Sequence, residues 1–161
     1  EAIGTAARKA LADLRRVVDP AADTEPPASL TDLLAVAFDT AERELVAGGH
    51  TVVVDADPLD ARIPRLVGNA LARIIRESVT NILKHGVPGH CRLTMTVRGS
   101  SVTLDIHSAT AAPATSPRVS DLPSGGYGTM RMAERSQRLG GTFTSVAVSD
   151  GWLVTATLPL S

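Results

Sequence analysis

Arg76-Glu-Ser-Val-Thr-Asn-Ile-Leu-Lys-His-Gly86 is the stretch on which the reading of the fold turns. It sets chemistry-capable polar side chains into an apolar helical pattern. Upstream and through it, apolar residues recur at Ile63, Leu66, Val67, Ala70, Leu71, Ile74, Ile75, Val79, Ile82 and Leu83, a helix periodicity sustained for about six turns. One broad side of that helix is therefore buried. Glu77, Asn81, Lys84 and His85 stand at i, i+4, i+7 and i+8, so at roughly 100° per residue they share an arc about 100° wide. One ligand can reach all four. A carboxylate, an amide oxygen, an ammonium and an imidazole in one row can orient a hydroxyl, complete a Mg²⁺ shell and meet phosphate oxygens. The same spacing also describes a solvated face with i,i+4 pairing, so the chemistry rests on the remainder of the chain.

Downstream, a Pro88-Gly89 turn leads into residues 91–98, which alternate, and Gly99-Ser100 turns the chain into Val102–His107, which alternates again. This predicts a hairpin. Residues 109–125 are rich in Ala, Pro, Thr and Ser without periodicity, and so long an unstructured stretch inside a domain is expected to be functional, a lid. Gly125-Gly-Tyr-Gly128 follows, then a short helix with Met130, Met132, Ala133 and Leu139 that stops at Gly140-Gly141. A second hairpin, Thr142–Val148 with Trp152–Leu158, ends the chain. Upstream, Thr51–Val54 reads as a short β-branched strand. Before it lies a helix with Leu33, Leu34, Val36, Ala37, Phe38, Ala41, Leu45 and Val46, opened by the N-cap chemistry of Ser29–Asp32 and ended by Gly48-Gly49. Residues 20–29 read as a Pro-rich linker, and residues 3–18 as an amphipathic helix seeking a partner.

With 161 residues, 43% of them hydrophobic, the chain has one good core. A net charge of −1 gives no bias toward nucleic acid or acidic membranes, and 2% aromatics leaves little for base stacking. The single cysteine, Cys91, excludes an internal disulfide and a multi-cysteine zinc site, and suits a reducing compartment. No apolar run approaches the roughly 20 residues that span a bilayer. The chain opens without Met and in mid-helix pattern, which suggests a piece of a longer protein, one that need not itself be free of a membrane.

A glycine-rich turn directly before a helix presents unpaired N–H groups and a positive dipole end to an anion. Gly125, Gly126 and Gly128 meet that description, although a lone Gly-x-Gly is weak and most such pairs are plain turns. Together, Glu77-x-x-x-Asn81-x-x-Lys84-His85, a strand, a Pro-rich loop, Gly126-Tyr-Gly128-x-x-x-Met132-x-Glu134-Arg135 and Leu139-Gly140-Gly141 resemble the ATP-binding catalytic domain of sensor histidine kinases. The likeness is greatest to the nitrate-sensor/DesK-like subfamily, within the gyrase, Hsp90, histidine kinase and MutL ATPase superfamily, and it covers roughly residues 30–160.

That resemblance implies an α+β fold: a two-layer α/β sandwich of the Bergerat type, with a mixed sheet of about five strands covered on one face by three helices. It implies ATP and Mg²⁺ as cofactors, with Asn81 as metal ligand and Glu77 as the catalytic residue that orients or activates the reacting group. ATP contacts are implied for Asn81, Lys84, His85, Ser108, Gly126, Tyr127, Gly128, Thr129, Met130 and Arg131. Residues 1–19 then resemble the end of a dimerisation and phosphoacceptor helix, 20–29 a linker and 30–161 the catalytic domain. The implied partners are the phosphoacceptor helical domain of the same or a sister protomer, a response regulator and a second copy in the full-length protein, with a cytoplasmic location and no nucleic acid. None of the histidines lies in residues 1–18, so the acceptor is not in this chain.

Two positions depart from the pattern. Where relatives place an Asp that accepts from the adenine amino group, this chain has Ser108, while Asp105 is too early and one residue off that face. Where they often carry a third glycine, it has Arg131. Loss of a charge-assisted bond costs about 1–3 kcal/mol, so a nucleotide-poor regulatory or docking module stands as one alternative, and an anti-sigma-factor type of serine kinase as another. His85, His90 and Cys91 read as coincidence rather than a metal site. Arg62, Arg65, Arg73 and Arg76 form a basic stripe, solvated by default and a docking surface otherwise. Met130, Met132, Phe143 and Trp152 are expected in packing roles.

Overall fold

The structure is a computed structural model that describes residues 30–58, 63–109 and 126–161. The expected helix at 3–18, the linker, the Ser29 cap and the lid beyond Ala109 lie outside the described residues. The elements are α1 (Leu30–Ala47), β1 (Thr51–Ala56), α2 (Arg65–His85), β2 (His90–Arg98), β3 (Ser101–Ala109), α3 (Gly126–Arg138), β4 (Thr142–Val148) and β5 (Gly151–Pro159).

One five-stranded sheet has the order β1-β2-β3-β5-β4. Only the β1–β2 pairing is parallel, because α2 supplies the crossover that a parallel pair requires. Alternation then sorts the sheet into two faces. Cys91, Leu93, Met95, Val102, Leu104, Ile106, Val154, Ala156 and Leu158 are buried beneath the helices. The opposite face is rich in threonine and half-buried, with Thr155 Oγ1 donating to Asp105 Oδ1 at 2.6 Å and Thr103 and Thr157 hydroxyls 3.1 Å apart. Asp105 is thus committed to the open face. The mixed sheet and helices match the expected α+β architecture.

Helix α2 buries Val67, Ala70, Leu71, Ile74, Ile75, Val79 and Ile82 against this sheet and α1, whose own stripe is Leu34, Phe38, Ala41 and Leu45. Each of the larger of these side chains removed from water contributes about 1.5–3 kcal/mol. The sequence pattern was too generous at its edges: Leu66 is 69% exposed, and Leu33, Val36, Val46 and Leu83 are exposed as well. An arc of a single helix surface wider than its contacts leaves its outer residues in solvent.

Two glycine-marked helix ends differ. Gly49 closes α1 with φ +89, and Gly49 N–H donates to Val46 O at 3.0 Å, the left-handed ending that glycine favours. Gly86 ends α2 in an extended conformation at φ −81; its glycine is required instead because a Cβ there would crowd Ile82 O. Among the described residues, no helix is long and apolar enough to cross a membrane.

Candidate active site

The C-terminal half of α2 crosses the end of the sheet where β3 finishes and the antiparallel β5 begins, and a cavity of about 190 Å³ lies between them. Asn81 and His85 face it from α2, Ser108 from β3 and Thr129 from α3. Its apolar walls are Ile82, Ile106, Val154 and Trp152. The Trp152 indole is fixed by Ser145, which also lines the cavity, with Trp152 Nε1 donating to Ser145 Oγ at 2.7 Å. Gly151 lets β5 approach this closely, since a Cβ there would strike the Ser108 carbonyl.

Helix α3 begins at Gly126, so Gly126, Tyr127 and Gly128 form its first turn rather than a loop before it. The N–H groups of that turn have no intrahelical acceptor. A Cβ on Gly128 would sit 3.2 Å from Glu77 Oε2, so the Glu77 carboxylate stands against the N-terminal end of α3, where the dipole is positive. The two constellations read separately from sequence therefore meet across a seam between α2 and α3.

On the other side of that seam, a groove of about 630 Å³ runs between the N-terminal half of α2 and α3. Arg73 and Arg76 line it from one helix and Arg131, Arg135 and Arg138 from the other, with Glu134 as the acidic member. Part of the basic stripe and the arginine in the glycine box thus share one surface. Along α2 the order is apolar cavity, Asn81, Glu77, arginines. An apolar ring with an anionic tail fits that order.

No family model matches the chain. It is 26% identical over 155 residues to the sensor histidine kinase YxjM of Bacillus subtilis, covering 96% of this chain and 36% of that protein. Its fold matches a histidine kinase domain from the blue-light-activated histidine kinase of Erythrobacter litoralis EL346, with a TM-score of 0.62 and 20% identity over 86% of this chain and 67% of that one. It matches the Acinetobacter baumannii histidine kinase AdeS with the same TM-score, 0.62, at 14% identity, over 80% of this chain and 64% of that one. The mycobacterial sensor histidine kinase MprB follows at 0.57 and 16%, covering 80% and 93%.

The chain has the fold of a histidine kinase catalytic domain. It spans about a third of the length of the curated sensor kinase it matches. Within this kinase fold, Asn81, His85, Ser108 and Thr129 come together at the cavity, and Glu77 joins Gly128 at its edge. Lys84 is exposed and does not line the cavity. Arg131 faces the groove. Of the two methionines expected in core and lid packing, Met132, 3% exposed, is in the core and Met130, 57% exposed, is not; the lid lies outside the described residues. The side chain of Tyr127 lies outside the described residues. Cys91 does not gather His85 and His90: its Sγ lies 3.4 Å from Nδ1 of the buried His50 instead, and burial pushes its thiol pKa up.

Sequence reasoning missed Ser78, Ser145 and the cavity-lining role of Trp152. Ser78 was visible in principle as a polar residue on the buried stripe between Ile75 and Ile82.

Proposed function

We propose that this domain binds Mg-ATP and presents its γ-phosphate to a histidine on a separate helical domain, for onward transfer to a response regulator. One observation carries the reading: residues distant in sequence, Asn81 and His85 on α2, Ser108 on β3 and Thr129 on α3, line one cavity beside the free amide end of α3. The adenine ring occupies the apolar cavity, and the phosphate chain runs along the seam past Asn81 and Glu77 toward the arginines.

The donor set suits the metal. Among the described residues there is no cluster of three or more His, Cys, Asp or Glu side chains, so Mg²⁺ would be held by the Asn81 amide oxygen and the nucleotide's own phosphate oxygens, as hard oxygen ligands. When bound, Mg²⁺ neutralises phosphate charge. The chain's own groups do the remainder. The amides of Gly126 to Thr129 in the first turn of α3 hold phosphate oxygens; His85 lines the cavity at the C-terminal end of α2, with Lys84 exposed beside it. Glu77, standing against the same amides, orients the reacting group at the γ-phosphate. The transfer itself rests on positioning and charge neutralisation.

The phosphoacceptor domain, the response regulator and a dimer in the full-length protein belong to this same reading, as does the nitrate-sensor/DesK-like subfamily. Calorimetric titration of the chain with a non-hydrolysable ATP analogue tests it. Micromolar binding that requires Mg²⁺ is the expected result. No heat at millimolar nucleotide would instead favour the docking-module alternative that the uncharged Ser108 leaves open.

A further inference from the structure

Ser78 is 2% exposed and lines the cavity, yet among the described residues its Oγ has no hydrogen-bond partner. Serine and threonine hydroxyls in helices commonly turn back to the carbonyl four residues earlier. The structure shows two examples: Thr80 Oγ1 donates to Arg76 O at 3.0 Å, and the buried Ser136 Oγ to Met132 O at 3.0 Å. Ser78 does not. An orphaned buried hydroxyl is rare and marks a place where a partner is expected. The sheet wall of the same cavity carries a second buried hydroxyl, Ser108, 8% exposed.

We infer that Ser78 and Ser108 form a two-hydroxyl reader of the nucleobase, which makes this site tolerant of purines rather than strict for adenine. The inference rests on the nucleotide reading above and deepens it. An ionised carboxylate only accepts hydrogen bonds, so at the Ser108 position it would favour the 6-amino group of adenine and oppose the 6-oxo group of guanine or hypoxanthine. A hydroxyl donates or accepts according to its rotation. Ser108 can therefore accept from a 6-amino group or donate to a 6-oxo group. Ser78, on the helix wall, offers the same adaptability to another edge of the ring. Asp105 cannot restore the acidic readout, because it lies on the far face of the sheet and is held by Thr155 Oγ1. The apolar walls, Ile82, Ile106, Trp152 and Val154, grip any purine face without distinguishing its substituents.

The test titrates the chain, in Mg²⁺, with non-hydrolysable analogues of ATP, GTP and ITP, and repeats this for Ser78→Ala and Ser108→Asp. The wild type is expected to bind all three within about tenfold of one another. Ser78→Ala should weaken every purine nucleotide by about three- to tenfold, while the ligand-free Tm holds or rises because an orphan hydroxyl has gone. Ser108→Asp should open a preference of about ten- to hundredfold for the ATP analogue. A wild-type preference for ATP above about a hundredfold overturns the reader and leaves the nucleotide site standing. So does a Ser78→Ala variant that binds all three analogues unchanged, which also covers the case in which Ser108→Asp fails to fold. If no nucleotide binds at millimolar concentration, the nucleotide reading itself falls, and the base reader with it.

Discussion

The two halves of α2 do different physical work although they share one helical pattern. The C-terminal half, from Ser78 to Gly86, faces a cavity closed by β3 and β5, where hydroxyl and amide groups are partly or wholly out of water. The N-terminal half, from Leu66 to Arg76, faces an open groove in which guanidinium groups from two helices are solvated. Polar contacts in the first half are few and strong, because an unmade bond there has no water to replace it. Those in the second are many and weak, because water and salt screen them. An ordinary solvated stripe and a site can thus lie on one helix, separated by little more than two turns.

The largest test of this contrast is stability. Ile106→Ala removes a buried cavity wall and is expected to cost about 2–5 kcal/mol in urea denaturation, whereas Leu66→Ala, at an exposed position on the groove, should stay within about 0.5 kcal/mol. Equal losses would mean the groove is as closed as the cavity. Next comes Asn81→Ala, expected to reduce Mg-dependent nucleotide affinity on the order of a hundredfold, about 2.8 kcal/mol, by calorimetry with and without the metal. Unchanged Mg-dependence would remove Asn81 from the metal's shell.

On the groove side the effects shrink. Arg73→Ala and Arg131→Ala should each weaken triphosphate binding by about two- to fivefold at low ionic strength, and the difference from wild type should close as salt is raised. A loss that persists in high salt would place the guanidinium in a desolvated contact instead. The smallest effect is expected far from both halves, at Cys91. Burial raises its pKa in the folded state above the ordinary thiol value of 9.0. Below that value both folded and unfolded thiols keep their protons, so stability is unaffected. As pH rises above it the unfolded chain ionises first, and stability falls until the folded thiol also ionises. A Cys91→Ser comparison in alkaline denaturation should isolate this slope, and alkylation at neutral pH should be slow until denaturant is added.

Much of this was legible in the primary sequence. The long helix and both hairpins follow from periodicity and turn chemistry, and the observed elements begin or end within a few residues of the expected ones. Ser108 in place of an acid, and Asp105 on the wrong face to replace it, were visible because strand alternation assigns faces before any coordinate exists. Other features were not visible. Leu66 and Leu83 satisfy the apolar pattern as well as Leu71 does, and only the neighbours supplied by α1 and the sheet separate buried from exposed. Met130 and Met132 looked alike for the same reason. The extended ending at Gly86 and the left-handed one at Gly49 carry the same residue signal, and local backbone geometry alone tells them apart.

By itself the sequence determined which side chains could share a helix face or a strand face, because 3.6- and 2-residue periods are properties of the backbone. It also determined the chemical types available: an amide, a carboxylate and an imidazole on one helix, glycines at the start of another. The tertiary structure alone decided which of them meet. Gly128 lies against Glu77, Arg131 joins Arg73 and Arg76, and Ser78 loses both water and its usual carbonyl partner beside Ser108. Those meetings depend on how helices and strands far apart in the chain pack over one core, and desolvation by that packing is what turns a common hydroxyl into a place for a ligand.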